Sequence, residues 1–87
     1  MISEKHVLIA AKMYDARRVL KSLCPGNFSK HCQEWQDVIK KVSEGKGVSE
    51  LEAVIDILGK LKDSGMAQMW VLASYVELME PSDGNIS

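Results

Sequence analysis

At 87 residues the chain amounts to one domain, small enough to bury only about 60–65% of the surface its unfolded form exposes. Its 46% hydrophobic and 26% charged residues exclude a disordered segment, and its net charge of −1 argues against a dedicated nucleic-acid binder. No apolar run approaches the ~18 residues that span a bilayer, and Val7-Leu8-Ile9-Ala10-Ala11 is short for a signal core, so a cytoplasmic protein with reduced thiols is expected.

The spacing predicts a first helix over about residues 3–23, capped by Ser3, with Ile9, Met13, Ala16, Leu20 and Leu23 on one stripe. Lys5, Lys12, Arg17, Arg18 and Lys21 fall mostly away from that stripe, and Cys24-Pro25-Gly26-Asn27 ends the helix. A second helix is expected over about 28–44, capped by Asn27 or Ser29, with Phe28, Cys32, Trp35, Ile39 and Val42 inward and Val38 beside them. Gly45-Lys46-Gly47 supplies its stop, since glycine suits a left-handed C-terminal cap.

The third helix, about 49–63, has the clearest start: in Ser49-Glu50-Leu51-Glu52 the serine can satisfy the N–H of Glu52 while Glu52 reaches back. Leu51, Val54, Ile55, Leu58 and Leu61 make its apolar stripe, and Asp56 stands one turn before Lys60 as an ion pair. Gly59 costs about 1 kcal/mol relative to alanine, which suggests that another helix crosses closely there.

A fourth helix over about 66–80 is apolar nearly all round, with only Gln68, Ser74 and Glu77 clearly polar before Met79. Residues 81–87 read as a frayed tail. Short turns between four helices imply an all-α fold, a compact four-helix bundle or an orthogonal helical array. The expected core is Ile9, Met13, Leu20, Leu23, Phe28, Trp35, Ile39, Val42, Leu51, Ile55, Leu58, Met69, Ala73 and Val76.

Chemistry finds little foothold in this pattern. Cys24 and Cys32 are eight residues apart across a Pro-Gly turn, and with His6 and His31 they lack the tight paired spacing of a structural zinc site. No nucleophile, base and orienting group assemble in sequence, so neither catalysis nor a bound cofactor or metal is expected. A thiol- or metal-dependent activity at Cys24 and Cys32 is the outside reading.

Charge is unevenly distributed. Residues 1–23 carry five basic side chains against two acidic ones, whereas residues 64–87 carry Glu77, Glu80 and Asp83 and no Lys or Arg. The two ends can attract each other within the fold. Alternatively Lys12, Arg17, Arg18 and Lys21 form a basic face for an acidic partner or for DNA or RNA. Against nucleic acid stand Glu50, Glu52 and Asp56 on the third helix, which phosphates would repel.

The favoured function is that of a non-enzymatic interaction module. Either the other three helices enclose this helix, or, with Met66, Met69, Ala73, Val76 and Met79 inward, Trp70, Val71, Leu72, Tyr75 and Leu78 are left for a homodimer or for another protein. The run Ala10-Ala11-Lys12-Met13-Tyr14-Asp15-Ala16-Arg17-Arg18, in a short Met-initiated helical chain, resembles small helical accessory proteins of temperate phages. That resemblance implies a role in modulating host machinery through binding.

Overall fold

The computed structural model describes residues 4–80, with side chains from residue 11 onward. The expected cap Ser3, the side chain of Ile9 and the tail 81–87 lie outside the described residues. Within them the chain is all-α: α1 Glu4–Leu23, α2 Phe28–Lys46, α3 Glu50–Lys60 and α4 Gly65–Met79. None of these helices is long and apolar enough to cross a membrane.

The helix ends follow local chemistry. α2 runs two residues beyond the expected Glu44, because Gly47 rather than Gly45 takes the left-handed conformation (φ 67°) and its N–H bonds the Ser43 carbonyl. Asn27 precedes α2 without a capping side-chain hydrogen bond. Ser49 does cap α3, accepting from the Glu52 N–H at 3.1 Å. α3 ends at Lys60, short of Asp63, where the Leu61 N–H closes onto Ile57 and Leu58 carbonyls. Ser64 caps α4 through the Ala67 N–H at 3.3 Å.

α4 packs against all three other helices, and α2 also packs on α3. The apolar composition of α4 thus has a direct cause: a helix with three neighbours has little wet face to supply with charges. The core comprises Met13, Ala16, Leu20, Phe28, Cys32, Ile39, Ala53, Val54, Ile57, Val71, Leu72, Ala73 and Val76. Trp35, Val42, Leu58 and Met69 pack against it half-buried.

Three expectations need correction. Leu23, placed in the core by its spacing, is 63% exposed. The turn after α1 brings Phe28 inward instead, with the Lys21 ammonium 5.9 Å from its ring centroid. Leu51 and Ile55 are half-buried, because α3 turns Ala53, Val54 and Ile57 to the core, roughly a quarter turn from the predicted stripe. Lastly, among the described residues no helix crosses at Gly59: the glycine is exposed and no described atom lies within 4 Å of where its Cβ would stand.

Candidate interaction surface

The side chains of α4 sort by position along the helix rather than by angle. Val71, Leu72, Ala73, Ser74 and Val76, in its middle, are all buried. Met66 and Met79, at its ends, are 55% and 45% exposed. Trp70, Tyr75 and Leu78 are half-buried. Two of the five residues expected to face outward, Val71 and Leu72, are therefore part of the core, since α1, α2 and α3 surround the middle of α4. Met66 and Met79 were expected inward; they lie out because the surrounding helices do not enclose the ends.

Polar contacts fix α4 in place. Gln36 of α2 donates to the Ser74 carbonyl at 3.1 Å, while the buried Ser74 hydroxyl turns back onto the Trp70 carbonyl at 2.6 Å. Gln68 donates to the Leu58 carbonyl at 3.0 Å, a second donor beside the Leu61 N–H at the end of α3. Trp70 lies between two rings of α2, with centroids 5.9 Å from Phe28 and 5.1 Å from His31.

The opposite charges of the two chain ends meet inside the fold. Arg17 pairs with Glu77 at 3.3 Å and donates to the Glu80 carbonyl at 2.8 Å, placing a cation at the negative end of the α4 dipole. The Tyr14 hydroxyl donates to the Glu80 carboxylate at 2.5 Å. That bond, together with desolvation and the carboxylate's charge, raises the Tyr14 pKa above its ordinary value. Arg17 is thereby engaged within its own chain, with its side chain 19% exposed. Arg18 pairs with Asp15 at the surface, and Lys12 and Lys21 are exposed. Glu77 and Glu80 were visible in the sequence only as the acidic half of a charge asymmetry.

Cys32 is buried on α2, and desolvation pushes its thiol up to about 11 from 9.0. At neutral pH it is a protonated, weakly reactive side chain that serves as packing. Cys24 is half-buried in the turn after α1. His31 lies 3.5 Å from the Glu34 carboxylate and against Trp70. Among the described residues no group of three His, Cys, Asp or Glu side chains converges as metal ligands would.

Comparisons of the chain with protein-family models, with curated proteins and with solved structures find no match.

Proposed function

We propose that this protein is a small non-enzymatic interaction module that docks onto another protein chain through the side chains α4 keeps at its rim. The observation that carries the reading is that Met66 and Met79 stay 55% and 45% exposed on a helix otherwise enclosed by its own chain. Trp70, Tyr75 and Leu78 add half-buried aromatic and aliphatic surface along the same helix. Methionine and aromatic side chains are enriched in interface cores because they bring large apolar area at modest polar cost. The resemblance of the first helix to temperate-phage accessory proteins fits such a role.

Nucleic-acid binding through the first helix has less support, because Arg17 is engaged by Glu77 and Glu80. Chemical crosslinking in the native cells, comparing wild type with Met66→Asp and Met79→Asp, tests the docking reading. Loss of a crosslinked partner in either variant, with unchanged folding, is the expected result. Identical crosslinked species in all three proteins, or none in any, would overturn it.

A further inference from the structure

We draw no further inference here: the strongest candidate, the groove between α1 and α4 over Ala16, Met69 and Leu72, carries no proposal because Lys12 and Asp15 on its wall leave it no charge preference and nothing in the structure shows what covers it.

Discussion

α3 and α4 hide their apolar side chains by different rules. α3 sorts them by angle: Ala53, Val54 and Ile57 face the core while Leu51 and Ile55, on the same short helix, are half-exposed. α4 sorts them by length: the middle is buried except for the half-buried Tyr75, and the two ends protrude. The difference comes from the number of neighbours. α4 touches three helices, so angle carries no information about exposure there, whereas α3 packs on α2 and α4 and keeps an outer side. In a domain this small, one helix enclosed along its middle is enough to organise the core, and the remaining helices need only one apolar face each.

The comparison can be broken most forcefully on α4 itself. Val71→Asp places a charge in a fully enclosed site and should cost more than about 4 kcal/mol, enough to unfold the domain. Met66→Asp, on the same helix, should change stability by about 0.5 kcal/mol or less, read from urea unfolding midpoints. Equal effects would mean that position along α4 does not govern burial.

On α3 the two isoleucines give the angular counterpart. Ile57→Ala should cost about 2–4 kcal/mol, because Ile57 is only 6% exposed, and Ile55→Ala about 1 kcal/mol. Reversal of that order would return the buried face of α3 to the stripe predicted from spacing.

Alkaline pH tests the enclosure of α2 against α4. The folded state holds the Cys32 thiol near 11 against an ordinary 9.0, so its neutral form is favoured. Tyr14, bonded to Glu80, and Tyr75, desolvated and near Glu50, are raised in the same direction. Stability from these groups is complete below their ordinary values and is lost as pH rises through the folded ones. Cys32 contributes up to roughly 3 kcal/mol of that loss. Thermal unfolding from pH 8 upward should show a decline that Cys32→Ala flattens; an unchanged slope would place the thiol in contact with water.

A smaller effect is expected at the clasp between α1 and α4. Arg17→Met keeps the aliphatic stem but leaves the Glu77 carboxylate, 12% exposed, without its guanidinium. A loss of about 1–2 kcal/mol should follow, smaller in high salt. If the variant unfolds at the same midpoint as wild type, the two ends of the chain are not joined by charge.

Legibility differed between the helices for physical reasons. Start and stop signals are local, so Ser49, Ser64 and Gly47 act where their residue types allow, with shifts of a few residues where a cap lay one glycine further on. Periodicity placed Met13, Leu20, Phe28 and Ile39 correctly because α1 and α2 each bury a single face. It failed for Leu23, which lies at the helix end where the chain turns away, and for α3, whose small Ala53 was underweighted against its larger neighbours. The candidate surface was half legible: the surplus of apolar residues on α4 is visible in the sequence, but not which of them the neighbouring helices cover, so Val71 and Leu72 lie in the core and Met66 and Met79 outside it.

Sequence alone therefore determined the all-α class, the approximate helix spans and the Ser49 cap, because propensity, capping and 3.6-residue periodicity act within a few residues of chain. Tertiary structure alone decided which side chains stay in water. That depends on how many neighbours each helix meets and where along its length they end, and both are set by contacts between residues such as Arg17 and Glu77, sixty positions apart.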